Sequence, residues 1–121
     1  MRLRSGQRVR RTLDFQAMRQ QGRRVDCGAF VLAWRLRPPV ENRPAPAARV
    51  GVVASRVAVG DAVARNRAKR RLREIFRQHQ GLVPPGLDLV LTARRLMLRA
   101  PFADLEQRFT AACRKLPGAV S

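Results

Sequence analysis

The chain is poor in the side chains that most enzyme chemistry needs. Its 121 residues include one histidine, one tryptophan, no tyrosine and only eight carboxylates. A nuclease working through its own side chains needs paired acid–base groups or a carboxylate cluster for metal ions. A lone His79 excludes a histidine pair. Asp14, Asp61, Glu74 and Asp88 are scattered, and Asp104 and Glu106 stand two apart on a helix, pointing to different sides. No phosphate-cradling glycine loop or metal-ligand spacing is present. No catalytic residue and no protein metal site are therefore expected. Cys27 and Cys113 are far apart and form no C-x-x-C pair, so two buried, reduced thiols are expected and a disulfide is not. No apolar run approaches the ~20 residues that span a bilayer. The first eleven residues carry charge without an apolar stretch, so no secretory signal is expected, and a cytoplasmic location is.

Negative charge is the other shortage. Eight acidic residues face 26 cationic ones, a formal net charge of +18. Self-repulsion of that size opposes compaction unless a polyanion or counterions screen it. Among the cations only Lys69 and Lys115 are lysine. An arginine excess suits bidentate phosphate contacts and stacking on bases. It is equally what a genome favouring arginine and alanine codons would produce. With 45% hydrophobic residues the chain can fold, and its length fits one domain over 1–121. A basic arm (1–11), a proline-rich loop (38–48) and a short tail (117–121) complete the layout.

Along the chain, Thr12 suits an N-cap for a short helix through Leu13, Phe15 and Met18, stopped at Gly22. Ala29 to Arg37 alternates, Phe30, Leu32, Trp34 and Leu36 on one face and Ala29, Val31, Ala33 and Arg35 on the other, as a strand does. A shorter strand around Arg24 to Cys27 fits ahead of it. Four prolines between 38 and 48 mark an exposed hairpin loop before a strand from Arg49 to Ser55. Gly60-Asp61 opens a long helix ending near Gln80, with Gly81 as the C′ residue and Pro84-Pro85 preventing continuation. Leu87 to Ala93 reads as a buried strand. Pro101 starts a last helix with Phe102, Leu105, Phe109, Ala112, Cys113 and Leu116 on one face. The order helix, strands, helix, strand, helix predicts an α+β fold, a two-layer sandwich of a sheet with helices packed on it.

The long helix is the informative element. Residues 65 to 77 hold seven cations and one carboxylate, Glu74, yet keep an apolar stripe of Ala68, Leu72, Ile75, Phe76 and His79. At 100° per residue Asn66, Arg67, Arg70, Arg73 and Arg77 fan across the opposite side, with Arg65 and Lys69 on a flank. Runs of charge are usually solvated surface, but this one is too lopsided to pair with itself. Asn66 reads either as a helix cap or as an RNA contact, offering donor and acceptor at the first turn where free N–H groups attract anions.

These residues resemble a family signature. Val50-Gly51 leading to Ser55-Arg56, then Ala62 to Arg65-Asn66-Arg67-Ala68-Lys69-Arg70-Arg71-Leu72-Arg73, is similar to the bacterial ribonuclease P protein component. That family carries a Val-Gly strand, a basic turn and Arg-Asn-Arg-x-Lys-Arg-x-x-Arg. Arg8-Val9-Arg10-Arg11 ahead of Asp14-Phe15 resembles its basic approach to an Asp-Phe helix, and Phe30-Val31-Leu32 its first long strand.

The resemblance implies a four-stranded sheet with a left-handed βαβ crossover, an exception to the usual hand. It implies the protein subunit of ribonuclease P, with the catalytic RNA and the 5′ leader of precursor tRNA as partners and no obligate protein partner. Mg²⁺ would be held mainly by the RNA subunit and substrate, which would perform the hydrolysis. Arg65, Asn66, Arg67, Lys69, Arg70 and Arg73 match the RNA-facing helix, Arg56 the basic turn, and Arg8, Arg10 and Arg11 the basic approach. Phe15, Arg19, Val31, Ala33 and Arg35 fall on the leader cleft. Phe15 taken alone would pack inward; the resemblance moves it to the cleft wall. Arg19 and Ala33 stand where some members carry phenylalanine and tyrosine, which removes stacking platforms worth roughly 1–3 kcal/mol per base. Leader binding is then expected to lean on charge. The competing readings are a ribosomal-type structural RNA-binding protein and a protein-only nuclease.

Overall fold

The computed structural model describes residues 23–37 and 47–117; the expected first helix, the basic arm and most of the proline-rich loop lie outside them. Four strands form one sheet: β1 (Arg23–Asp26), β2 (Phe30–Leu36), β3 (Arg49–Val53) and β4 (Leu87–Ala93). Their spatial order is β1-β2-β4-β3. β2 runs antiparallel to both β1 and β4, with Leu32 opposite Leu91 in the β2–β4 ladder. β3 lies parallel to β4, Val50 opposite Leu89. Parallel neighbours need a long crossover, and helix α1 (Ala62–His79) supplies it. A second helix, α2 (Phe102–Cys113), follows β4.

Period-two alternation decides which sheet face is covered. Phe30, Leu32, Val50, Leu87, Leu89, Leu91 and Ala93 turn to one side, where α1 sets Ala68, Leu72, Ile75 and Phe76 against them. α2 completes this core with Leu105, Phe109, Ala112 and Cys113. Phe30 and Phe109 meet with ring centroids 6.5 Å apart. β4 is buried almost throughout, being flanked by strands on both sides. Its alternate residues Asp88 and Val90 are buried too, yet stand outside the core cluster, on the sheet's other face. Trp34 and Phe102 are half-buried at the rim of the core, and Leu36, at the strand's end, is exposed.

The turn before α1 is built locally. Ser55 Oγ accepts from the Ala58 amide at 3.1 Å, and Ser55 O accepts from Val59 N at 3.0 Å. Gly60 takes φ +131°, which disfavours side chains, and Asp61 caps the helix by accepting from Ala64 N at 2.9 Å. The C-terminus differs from expectation. Gly81 has no positive φ; the helix tightens into a 3₁₀ turn at Gln80–Leu82. The left-handed glycine is Gly86, φ +84°, which turns the chain into β4 after the two prolines. Pro101 occupies the N-cap of α2 rather than its first turn. A 3₁₀ turn at Arg95–Leu98, burying Met97, was not legible in the periodicity, because so short a stretch shows no repeat.

His79 ends the apolar stripe of α1 as a cross-link to α2, its Nε2 2.6 Å from Glu106 Oε2 and its ring 6.4 Å from that of Phe109. Cys27 and Cys113 are free and buried; burial pushes the Cys113 thiol up to about 12, so it stays protonated and inert.

Candidate nucleic-acid interface

α1 carries two incompatible faces, and only its core contacts hold the charged one in place. With Ala68, Leu72, Ile75 and Phe76 inward, Asn66, Arg67, Arg70 and Arg73 are exposed on the outer side. Arg65 and Lys69 are half-buried on one flank, and the Nε of Arg65 is out of water without a hydrogen-bond partner. Arg56 is exposed in the turn that feeds the helix.

Glu74 does little to balance this face. It accepts from Arg77 Nε at 3.0 Å, from Arg77 Nη2, and from Gln78 Nε2 at 2.8 Å. The Arg77 and then the Gln78 hydrogen bonds hold its carboxyl down to about 2. Arg77, counted in the outward fan from its spacing, is thus half-buried and engaged. Arg71 points elsewhere again: it donates to Met97 O at 2.6 Å and Ala100 O at 2.7 Å. The outward charge rests chiefly on Arg67, Arg70 and Arg73. Asn66 is not a cap. Asp61 performs that role, and Arg65 N already donates to Asp61 O at 2.9 Å, so Asn66 lies past the free amides of the first turn. Its exposed side chain remains available beside Arg67 and Arg70.

On the far side of the sheet, β2 presents Val31, Ala33 and Arg35, each half-buried and set against Thr92, Val90 and Asp88 of β4. Phe15, Arg19, Arg8, Arg10 and Arg11, the other half of the expected cleft and its approach, lie outside the described residues. Arg35 meets Asp88, with Nε 3.2 Å and Nη2 3.0 Å from Oδ2. Asp88 is fully buried and also takes Arg49, from Nε at 2.8 Å and Nη2 at 2.8 Å, with Arg37 Nε at 3.3 Å. Burying a carboxylate is costly unless it is paired and hydrogen-bonded, and here guanidinium groups from β2, β3 and the following turn surround it. Sequence reasoning counted Asp88 among scattered acids. The signal was one charged residue inside an otherwise apolar central strand.

Carboxylates elsewhere are similarly engaged. Asp26 meets Arg94, Asp104 meets Arg108, Glu106 meets His79, and Asp61 caps α1. Among the described residues no three histidine, cysteine or acidic side chains come together as a metal cradle. No helix among them is long and apolar enough to cross a membrane.

An antiparallel-parallel sheet, with the described helices on one side and a cationic helix face turned to solvent, defines an α+β domain suited to a polyanionic partner. Comparison with known proteins makes the assignment specific. A family model described as Ribonuclease P matches residues 3–117. The ribonuclease P protein component of Streptomyces avermitilis is 40% identical over 116 residues, covering 92% of each chain. That of Acidothermus cellulolyticus is 38% identical over 102 residues, 84% of this chain and 81% of the relative. The solved RNase P protein from Thermotoga maritima superposes with a TM-score of 0.76 at 28% identity, over 92% of this chain and 98% of that one. The Staphylococcus aureus RNase P protein shares the fold, with a TM-score of 0.71 at 23% identity over 95% and 98%. The chain belongs to the bacterial ribonuclease P protein component family. It is a subunit of the ribonucleoprotein endoribonuclease that processes tRNA 5′ ends, and the ribosomal alternative is not favoured.

Proposed function

We infer that the outward face of α1 docks on the ribonuclease P RNA while the sheet face opposite α1, with the segment preceding β1, receives the single-stranded 5′ leader of precursor tRNA. One observation carries this reading. Arg67 and Arg70 are exposed together with Arg73 on a helix whose own carboxylate, Glu74, is bound to Arg77. Arg65, Asn66, Lys69 and Arg56 extend the same contact, and Arg8, Arg10 and Arg11 add charge on the approach to the leader. Guanidinium forks meet phosphate oxygens bidentately, and a rigid helix fixes their spacing.

For the leader, Val31 and Ala33 offer a small apolar floor, and Arg35 is held at its edge by Asp88. Phe15 would stack on a base and Arg19 would contact the backbone. Hydrolysis belongs to the RNA. A Mg²⁺ site needs several free oxygen ligands. The described carboxylates do not fit one, since each is engaged by a guanidinium, by His79 or by a helix amide. On this reading the ions are held mainly by RNA and substrate phosphates, and the protein's part is to bind and align. Such a subunit works in the cytoplasm, without a second protein.

Precursor tRNA incubated with this protein alone, with a ribonuclease P RNA alone, and with both at low Mg²⁺ tests the reading. Cleavage at the mature 5′ end is expected only with both. Cleavage by protein alone would overturn the assignment of chemistry to RNA, and no stimulation of the RNA would overturn the docking.

A further inference from the structure

We propose that Arg71 is a positioning residue that fixes Arg99 as a further RNA-contacting cation, carrying the interface beyond α1 onto the segment that follows β4. This rests on the docking of α1 described above. Arg71 spends its guanidinium on two backbone carbonyls, and the two it takes bracket Arg99. Nη1 donates to Met97 O at 2.6 Å, and Nη2 to Ala100 O at 2.7 Å.

The segment has its own turn bonds but leaves these oxygens over. Met97 N donates to Arg94 O at 3.0 Å, while Arg99 N and Ala100 N both converge on Leu96 O, at 3.1 and 2.9 Å. Met97 and Ala100 are themselves buried, so the backbone is pinned on both sides of Leu98-Arg99. Arg99 is left exposed between the pins.

The flank on which this happens gives the clamp a consequence for binding. Arg67 and Arg71 are four residues apart and so lie on the same side of α1, one turn from each other. Their proximity is felt electrostatically: burial, and then Arg67, draw the Arg71 pKa below its ordinary value. The segment held by Arg71 therefore adjoins the side of α1 that displays Arg67. Arg99 continues that cationic surface from a second piece of backbone. A partner whose phosphates extend beyond the reach of one helix face suits two fixed cationic elements.

The test measures binding of the full chain to a ribonuclease P RNA transcript across a salt series. Arg99→Ala, at an exposed position, is expected to flatten the slope of log K against log[salt] by about one unit, as loss of one phosphate contact does. Arg71→Met keeps most of the stem and removes both donors; it should flatten the slope equally, and the double variant no further. Additive losses would overturn the clamp, since Arg71 would then act independently of Arg99. An unchanged slope in Arg99→Ala, with Arg67→Ala still flattening it, would overturn the inference while leaving the docking of α1 intact. No effect of Arg67→Ala either would overturn the docking itself. Urea midpoints accompany each measurement, and if Arg71→Met does not fold, Arg71→Lys, which can reach only one carbonyl, takes its place in the cycle.

Discussion

Replacing Asp88 with asparagine keeps the shape of the side chain and removes its charge. In the folded protein this carboxylate is fully buried between Arg35, Arg37 and Arg49, with Arg49 bound through both oxygens. The unfolded chain loses nothing comparable, because each group there is separately hydrated. Breaking a buried ion cluster by removing one sign typically costs about 3–5 kcal/mol, since the remaining charge is left without compensation. Mutual repulsion among the guanidinium groups argues for the upper part of that range. One kcal/mol moves the melting temperature by roughly 4–8 °C in a domain of up to about 100 residues. A fall of at least about 12 °C is expected, with the urea midpoint falling and the m-value unchanged. α1 lies on the other side of the sheet, so the salt dependence of RNA binding should survive at temperatures where the variant is folded. A loss below about 1 kcal/mol would refute the reasoning, because it would mean that the cluster is screened like a surface ion pair.

Other expectations follow from single contacts. The salt slope of RNA-subunit binding should be roughly −3 to −4 if Arg56, Arg67, Arg70 and Arg73 each meet a phosphate, and Arg67→Ala should make it shallower by about one unit; an unchanged slope would place Arg67 in solvent. Asp61→Ala removes the cap on Ala64 N and should lower stability by about 1 kcal/mol in urea denaturation, with Asp61→Asn restoring most of it. Glu74 has a folded pKa depressed to about 2 from an ordinary 4.5, so its contribution is present above pH 4.5 and lost as pH falls toward 2. An NMR titration of its carboxyl with a midpoint near 4.5 would show that the Arg77 contact is not held in solution. Phe15→Ala should abolish the preference for precursor over leaderless tRNA, measured as a ratio of affinities; a preserved ratio would return Phe15 to the core.

Much of the fold could be read from residue order. The β4 boundaries follow from a short apolar run after the Pro-Pro-Gly turn, and the stripe Ala68, Leu72, Ile75 and Phe76 and the apolar face of α2 follow from a 3.6-residue periodicity that burial then enforces. The turn chemistry was less legible. Gly81 looked like a helix terminator, but the following prolines let the helix unwind through a 3₁₀ turn, and the left-handed conformation fell to Gly86. The charged face was visible as a pattern and its membership was not. Spacing alone put Arg77 with the outward arginines, and while it left Arg71 out of that fan, nothing in a linear run shows that Arg71 binds the carbonyls of Met97 and Ala100.

Residue order and composition are enough to specify a cationic α+β domain with an amphipathic basic helix, and the motif order points to the family. Those features depend on local periodicity and composition, which any single chain displays. The tertiary fold settled which charges are spent across the chain: Asp88 beneath Arg35, Arg37 and Arg49, and Arg71 on the segment before α2. The reason is one of distance. Asp88 and Arg35 are 53 residues apart in the chain and 3.0 Å apart in the fold, and only the strand register brings them together.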